Sequence, residues 1–465
     1  MPESGLKKGL FLIMLANLLN LVVGLVNGFI LPKYLSIDTY AMIKTYTLYI
    51  SYAGFFHLGY LDGMYLKYGG RPLSSVSSRE YGTDFWNIGL MQFVVSVILL
   101  IVGLAMWKFL LCAFAAGLFL KNINSCCQLF FQATGEFKLY SSALNYGTIL
   151  SFLLSLFLIF VVKTDDARLY IGVQILSLLI VSLYLCILLN VKLGYFKCRE
   201  MSLAAFKENI SSGFVLMMGN FSNILFLSID RWLVKLLMST YHFAVYSFAF
   251  AINGLIDVFI SPLFVTLYNA FCKNSSPERI MGIKRAVAVW SFAIIAFAFP
   301  AKWVVEHYID KYIEALPLVF IFFASHVFNA LILGVYVNYF KARKLQKQFF
   351  WQILSMLATI IGVSLVAWLI FKSMLALAVA SLLANIIWLG VNERKFKDLR
   401  FVCTDWIYLG LMLAVYLLCG LCLGSIAGFI VYIILLVLLS LFLMRTQTLM
   451  LFNSLKQLWL RNKIL

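Results

Sequence analysis

Residues 426–444 read IAGFIVYIILLVLLSLFLM, an apolar stretch of nineteen residues that contains no charged side chain. The hydrocarbon core of a bilayer is about 30 Å thick, and a helix needs about 20 apolar residues to cross it. A membrane-spanning strand would be shorter and would alternate polar with apolar residues, which this stretch does not do. Because a spanning segment must satisfy its backbone groups internally, the stretch predicts a transmembrane α-helix.

Thirteen further stretches of the same kind precede it along the chain. The predicted spans lie near 10–31, 40–62, 86–107, 109–131, 141–162, 169–191, 213–236, 243–265, 283–303, 315–338, 349–370, 374–391, 406–422 and 426–444. The chain has 63% hydrophobic and only 12% charged residues, whereas a soluble domain has roughly 25% charged residues. The sequence therefore predicts an all-α integral membrane protein with about fourteen transmembrane helices.

Lysine and arginine are distributed unevenly among the loops between the predicted spans. The N-terminus, every second loop and the C-terminus together carry 26 of the 37 Lys and Arg residues, whereas the opposite loops carry 9. Because cytoplasmic loops are enriched in these residues, both termini are expected in the cytoplasm. The net charge of +18 follows from this loop pattern, and we expect no nucleic acid as a partner.

A shift of 203 residues aligns the first predicted span with the seventh. Phe11, Met14, Asn17, Asn20 and Asn27 then meet Phe214, Met217, Asn220, Asn223 and Asp230. The shift covers six spans, so both copies cross the membrane in the same direction, which predicts two pseudo-symmetric six-helix lobes. We expect these lobes over 1–200 and 201–400, with two further helices and a cytoplasmic tail over 401–465.

Amide side chains within predicted spans are candidate site residues, because polar groups are costly in lipid. One face of the first span and the matching face of the seventh carry Asn17, Asn20, Asn27, Asn220, Asn223 and Asp230. These side chains could line a substrate path. They could equally form hydrogen bonds between helices, which contribute about 0.6 kcal/mol per contact.

The fourth predicted span carries a lysine near its middle. Lys121 lies about 18 Å along the span at 1.5 Å per residue, where a lysine costs about 2.5–3.5 kcal/mol on insertion scales. It shares one stripe of the helix with Asn124, Ser125, Gln128 and Gln132. We expect this stripe to line a water-filled cavity. The alternative is a structural ion pair between Lys121 and a buried acid.

Other ionisable residues add candidates for the same cavity. Lys44 and Arg231 lie within about two helical turns of the expected outer surface, where they could either snorkel or face the cavity, and His326 lies in the tenth span. The candidates for ion coupling are Asp62, Asp230 and Asp257. A deep cation among amides suits an anionic, hydroxyl-rich cargo. Of the nine cysteines, Cys419 and Cys422 have CxxC spacing, but they lie in an apolar run with no second pair and no nearby His, so we expect no metal and no cofactor.

Four features resemble the MOP (multidrug, oligosaccharidyl-lipid, polysaccharide) exporter superfamily, and within it the polysaccharide transporters of the Wzx type. They are ILPKYLSIDTY at 30–40, LGYLDGMYLKYGG at 58–70, Asp230-Arg231 followed by Tyr246-Ser-Phe-Ala249, and the count of twelve plus two helices. The first span carries Asn where the related lipid II flippases carry arginines. The anion-binding residues of those proteins therefore cannot be transferred to this chain.

The resemblance implies a transporter in a bacterial inner membrane, with two lobes that open alternately around a cationic cavity. The implied cargo is a polyprenyl-diphosphate-linked oligosaccharide for O-antigen, capsule or exopolysaccharide assembly, moved from the cytoplasmic to the outer leaflet. The implied partners are the phospholipid bilayer and the polysaccharide polymerase machinery. Members of this superfamily work without ATP hydrolysis, by ion-coupled alternating access, so no enzymatic activity is expected.

Two alternatives come from different classes of protein. A multidrug antiporter of the same superfamily would be expected to have twelve helices and a more acidic cavity. A membrane glycan polymerase would be an enzyme, and such enzymes usually need a long outer loop for their catalytic groups. The expected outer loops of this chain are all short.

Overall fold

The computed structural model describes residues 23 to 452, apart from residues 25, 257–266, 268–270, 272–275 and 344. Within that part of the chain the secondary structure is α-helix with short 3-10 and π turns, and no strand occurs. The residues group into two compact units, Met1–Leu227 and Ser228–Leu465. The predicted all-α fold class is confirmed.

The described part of the first unit contains six complete helices and most of a seventh. They are α1 (Ile37–Ile50), α2 (Tyr60–Tyr68), α3 (Ser78–Ala105), α4 (Phe109–Ala133), α5 (Phe137–Phe157), α6 (Ala167–Leu193) and α7 (Leu203–Leu237). A π turn at Leu158–Val162 extends α5, and residues 26–34 are also helical. The last ten residues of α7 belong to the second unit.

The second unit continues with nine further helices among the described residues. They are α8 (Thr240–Asn253), α9 (Pro277–Ile295), α10 (Ala298–Tyr308), α11 (Leu316–Asn329), α12 (Asn338–Ala342), α13 (Gln346–Phe371), α14 (Met374–Lys395), α15 (Cys403–Cys422) and α16 (Ser425–Leu443). A π turn at Ala330–Val337 joins α11 to α12.

Ten of the predicted spans correspond to helical segments that are long and apolar enough to cross a membrane, and the two parts of α7 together make an eleventh. The other three predicted spans lie near 10–31, 40–62 and 243–265. The first begins outside the described residues, the second is broken after Ile50, and the third continues into residues 257–266, which are not described. About fourteen spans is consistent with these helices.

The break in the second predicted span is a feature that the apolar pattern did not indicate. After α1 a 3-10 turn covers Ala53–His57, and the next two residues, Leu58 and Gly59, have φ angles of 50° and 85°. Positive φ is unfavourable for leucine and accessible to glycine. The chain therefore stops being α-helical within the apolar run and restarts as α2.

Two buried amides satisfy backbone groups at this break. The side chain of Gln92 in α3 donates to the carbonyl oxygen of Phe56, and that of Asn122 in α4 donates to the carbonyl oxygen of Ala53, each at 3.0 Å. Asn122 also donates to Gln92 at 2.7 Å. Because an unpaired carbonyl is costly inside a membrane protein, these two amides stabilise the broken span.

α2 and α7 cross in backbone contact within the first unit. A Cβ atom on Gly63 would lie 2.0 Å from the carbonyl oxygen of Asn209, and a Cβ atom on Gly213 would lie 2.1 Å from the carbonyl oxygen of Gly59. The atoms in the way belong to the backbone, so they cannot rotate aside as a side chain could. Small residues at helix crossings allow this close approach in membrane proteins.

Alanine at Gly63 or Gly213 is expected to lower the abundance of the protein and its melting temperature in detergent, because the added methyl group forces α2 and α7 apart. The matched control is Gly89→Ala in α3, where a Cβ atom would meet no atom within 4 Å. That variant should be tolerated, since alanine favours a helix by about 1 kcal/mol over glycine. Equal abundance and melting temperature of all three variants would contradict the close crossing.

The two C-terminal helices are attached to the rest of the second unit by charged side chains near both ends of α15. Arg285 in α9 makes hydrogen bonds of 2.9 and 3.0 Å to the two carboxylate oxygens of Asp405. At the other end, Lys302 in α10 donates to the carbonyl oxygens of Gly420 and Leu423 at 2.8 and 2.7 Å. The last carbonyl groups of a helix lack helical partners and carry partial negative charge, which suits a lysine. α15 and α16 are therefore integral to the second unit.

Candidate functional site

The side chains of α4 divide into a covered face and a polar face. The covered face consists of buried apolar residues: Ile123, Cys126, Cys127, Phe130 and Phe131. On the polar stripe predicted from the sequence, Lys121 is exposed, Ser125, Gln128 and Gln132 are half-buried, and Asn124 is 4% exposed. The stripe is thus the less covered side of the helix.

Lys121 is the thirteenth of the 25 residues of α4, at the middle of the helix. No hydrogen bond or ion pair holds its ammonium group among the residues that the structure describes. The buried Oδ1 atom of Asn124 has no donor within the same part of the chain. Since polar groups that face lipid are costly, the arrangement favours water or a polar ligand next to the stripe. The alternative partner, Asp257, lies outside the described residues.

The other two candidate cations lie against aromatic rings. The Nζ atom of Lys44 in α1 lies 5.1 Å from the ring centroid of Tyr40, and the guanidinium carbon of Arg231 in α7 lies 4.6 Å from that of Phe250. Cation–π contacts contribute about 0.5–2 kcal/mol, more where water is excluded. These contacts can stabilise the charges of Lys44 and Arg231 within the spans without any ligand. Lys121 has no such contact in the described part of the chain.

The amide face predicted for the first and seventh spans is described only in part. Asn17, Asn20 and the side chain of Asn223 lie outside the described residues. Asn27 is half-buried, and its Oδ1 atom has no donor among the described residues. Asn220 donates from Nδ2 to a carboxylate oxygen of Asp62 at 3.2 Å. This contact is a hydrogen bond between two helices, which is the second of the two roles expected for these amides.

The described acids and the remaining imidazole candidate lie in different surroundings. Asp230 is buried and accepts hydrogen bonds from the Tyr246 hydroxyl at 2.8 Å and from the backbone N–H of Arg231 at 2.7 Å. The third feature of the resemblance, Asp230-Arg231 followed by Tyr246, therefore corresponds to a buried hydrogen bond between Asp230 and Tyr246. His326 is buried in α11, one turn before the π segment. Asp257, as noted, is not described.

The segment at 58–70 is arranged around a buried carboxylate that the sequence pattern did not single out. Asp84 is fully buried and accepts four side-chain hydrogen bonds, from Tyr60 at 3.3 Å, Lys67 at 2.7 Å, Tyr68 at 2.6 Å and Asn209 at 2.9 Å. In the sequence, Asp84 lies just before the span predicted at 86–107, where an exposed acidic residue of a loop is expected. With four donors, Asp84 is a structural anchor for α2, α3 and α7.

The second unit contains a buried charge of opposite sign near the start of α9. Lys284 is fully buried and donates to the Glu393 carboxylate, to the Tyr336 hydroxyl at 2.7 Å and to the Leu399 carbonyl oxygen at 2.8 Å. Its Nζ atom lies 3.5 Å from the ring centroid of Phe401. Lys284 and Glu393 stand next to loops in the sequence, where charges are expected, so the pattern gave no reason to select them.

No group of three or more His, Cys, Asp or Glu side chains that could hold a metal ion occurs within the described ranges. The oxygen and nitrogen groups of the α4 stripe are suited instead to hydrogen bonding and to compensation of negative charge. Lysine offers three donors, and each amide offers both donors and an acceptor.

Comparisons with solved structures identify the fold. The chain is similar to the lipid II flippase MurJ in an inward closed conformation, with a TM-score of 0.70 and 9% identity, covering 94% of this chain and 99% of that chain. It is also similar to an inward-facing multidrug resistance MATE family transporter of the MOP superfamily, with a TM-score of 0.58 and 12% identity, covering 82% and 98% of the two chains. No family model and no curated protein matches the sequence. At these identities the likeness shows that the chain has the fold of MOP transporters.

Proposed function

We propose that the chain is a flippase that moves polyprenyl-diphosphate-linked oligosaccharide repeat units from the cytoplasmic to the outer leaflet of a bacterial inner membrane. The cargo would be a precursor of O-antigen, capsule or exopolysaccharide. The observation that carries this proposal is Lys121, an exposed cation at the middle of a spanning helix whose stripe is otherwise made of polar groups. The fold adds support, because a lipid II flippase is among the similar structures.

The chemistry of the cargo matches the chemistry of the stripe. A diphosphate crosses the hydrocarbon region only if its negative charge is compensated, since an isolated charge in an apolar medium is very costly. The ammonium group of Lys121 would supply that compensation. Asn124 and Gln128 lie three and seven residues further along the same side of α4 and would exchange hydrogen bonds with sugar hydroxyl groups.

The remaining parts of the proposal concern organisation. We place two pseudo-symmetric lobes at 1–200 and 201–400 and the extra pair of helices with its tail at 401–465, with both termini in the cytoplasm. The asparagines of the first and seventh spans, Lys44, Arg231 and His326 are assigned to the same cargo path. The polysaccharide polymerase would take over the cargo on the outer side, and no cofactor is required.

Deleting the gene is expected to abolish surface polymer and to leave lipid-linked repeat units on the cytoplasmic leaflet, because charged headgroups do not cross the bilayer unaided. The amount of polymer is measured by gel electrophoresis of surface glycan, and leaflet location by the access of a membrane-impermeant lectin to the glycan in spheroplasts. Lipid-linked units that reach the outer leaflet at normal levels but stay unpolymerised would overturn the proposal in favour of a polymerase.

A multidrug antiporter is the second candidate, which the similarity to a MATE family transporter favours. Two observations favour the flippase. The mid-helix charge of α4 is a cation, which disfavours cationic drugs, and α15 and α16 are firmly attached beyond the twelve helices expected of an antiporter. A deletion strain that keeps its polymer and becomes sensitive to cationic drugs would identify an antiporter.

A further inference from the structure

The break between α1 and α2 brings a carboxylate into unusual surroundings. Asp62 lies in the first turn of α2, three residues after Gly59, the second of the two residues with positive φ. Its side chain is 13% exposed, so it is largely enclosed and still accessible to water. A carboxylate at such a position normally has a cation beside it, because an unpaired buried charge is costly.

Among the described residues, the groups that face Asp62 are neutral. Nδ2 of Asn220, on α7, donates to Oδ1 of Asp62 at 3.2 Å. On the other side, Nε2 of His57 lies 3.9 Å from Oδ2. The Nδ1 atom of His57 accepts a hydrogen bond from the backbone N–H of Gly59 at 3.2 Å, and a nitrogen that accepts cannot carry a proton. His57 is therefore the neutral tautomer, with its N–H on the side of Asp62.

Among the described residues, His57 is the one titratable group that faces Asp62 from its own segment, and α7 presents only the amide of Asn220. His57 carries no oxygen in its side chain, and Asn220 turns Nδ2 rather than its amide oxygen toward the carboxylate. A metal cation such as Ca²⁺ or Mg²⁺ needs about six oxygen ligands, which these donors do not provide. These groups suit an ion that binds to a single carboxylate oxygen, and that ion is the proton.

We infer that Asp62 is a proton-binding site, enclosed by His57 and Asn220 at the broken second span. The carboxylate takes one proton from water at Oδ2 to become a neutral carboxylic acid and returns it to water, with no other bond changed. Burial with no cation beside it among the described residues disfavours the charged form, and the hydrogen bond from Asn220 favours that form.

Proton uptake at Asp62 has a consequence for the crossing of α2 and α7. Hydrogen bonds to a charged carboxylate are roughly twice as strong as those to a neutral acceptor, so protonation weakens the contact between Asp62 and Asn220. On α7, Gly213 lies about two helical turns before Asn220, and it packs against the backbone of Gly59, Asp62 and Gly63. Protonation therefore weakens the side-chain contact between Asp62 and Asn220, while the backbone contact next to it does not depend on charge. If the chain is a flippase, as proposed above, the proton would be its coupling ion and would act through this side-chain contact.

Infrared difference spectroscopy of the purified full-length protein in lipid tests the site without any cargo. Between neutral and mildly acidic pH, the wild type should gain the C=O stretch of one protonated carboxyl group per chain, and Asp62→Asn should lose that band. Asp62→Glu should restore it at a shifted midpoint, which shows that the loss does not come from misfolding. The control Asp38→Asn, at an exposed acid in the first turn of α1, should keep the band.

An acid-induced carboxyl band of equal size in the wild type and in Asp62→Asn would overturn the proton site, and so would the absence of any such band in the wild type over this pH range. These outcomes are independent of the flippase proposal, which fails only if the deletion strain keeps its surface polymer. A band that is lost in Asp62→Asn supports the proton site whatever the cargo proves to be.

Discussion

Lys121→Ala is expected to abolish surface polymer in the strain that carries it and to leave the abundance of the protein unchanged. Abundance is kept because the ammonium group has no partner among the described residues that its removal would leave buried and unpaired. Polymer is lost because the diphosphate then crosses the membrane without a compensating charge. Surface glycan on gels and immunoblots of the membrane fraction measure the two quantities.

Lys108→Ala is the matched control for this prediction. Lys108 is an exposed lysine at the start of the same helix, so its removal tests the general effect of deleting one positive charge from α4. That strain should make normal amounts of polymer. Normal polymer in the Lys121→Ala strain as well would remove Lys121 from the mechanism.

Two further variants separate the roles open to Lys121. Lys121→Arg should keep part of the polymer, because the charge survives while the geometry of the donors changes. If Lys121 instead pairs with Asp257, each single neutralisation should reduce abundance, and the double variant Lys121→Ala/Asp257→Ala should recover it. This second pattern would establish a structural ion pair and leave the cargo site without its central cation.

The helices of this protein could be predicted from the sequence because a bilayer leaves few options. An apolar run of about twenty residues must satisfy its backbone hydrogen bonds internally, which only a helix can do for a single segment. The runs at 109–131, 374–391 and 406–422 accordingly match α4, α14 and α15 to within four residues. The polar stripe on α4 followed from helical periodicity alone.

The break after α1 and the buried charge clusters could not be predicted in the same way. The break is stabilised by Gln92 and Asn122, which lie 36 and 69 residues away from the carbonyl groups that they satisfy. The partners Asp84 and Asn209 are 125 residues apart in the sequence. Helical periodicity describes one element at a time, whereas these contacts depend on which elements pack together. The segment LGYLDGMYLKYGG could therefore be found as a motif in the sequence, but the contacts of its side chains with Asp84 are seen only in the structure.

The largest expected effect on stability belongs to the Lys284 cluster. Lys284→Met leaves the Glu393 carboxylate buried without its cation, and removing one partner of a buried pair costs about 3–5 kcal/mol. That is a large part of the stability of a typical protein domain, so we expect most of the protein to be lost from the membrane fraction. Immunoblotting and the melting temperature in detergent measure the loss.

The double variant Lys284→Met/Glu393→Leu separates a structural pair from a functional one. Replacing both members of a buried pair with apolar side chains is often neutral or even stabilising, so abundance and surface polymer should both return. As a control for charge removal, Arg79→Ala breaks the pair between Arg79 and Glu200, in which both side chains are exposed, and should change little because such pairs contribute about 0–1 kcal/mol. If Lys284→Met is as abundant as the wild type and yet lacks surface polymer, Lys284 and Glu393 take part in transport. Their role would then be functional, like the role proposed for Lys121, rather than structural.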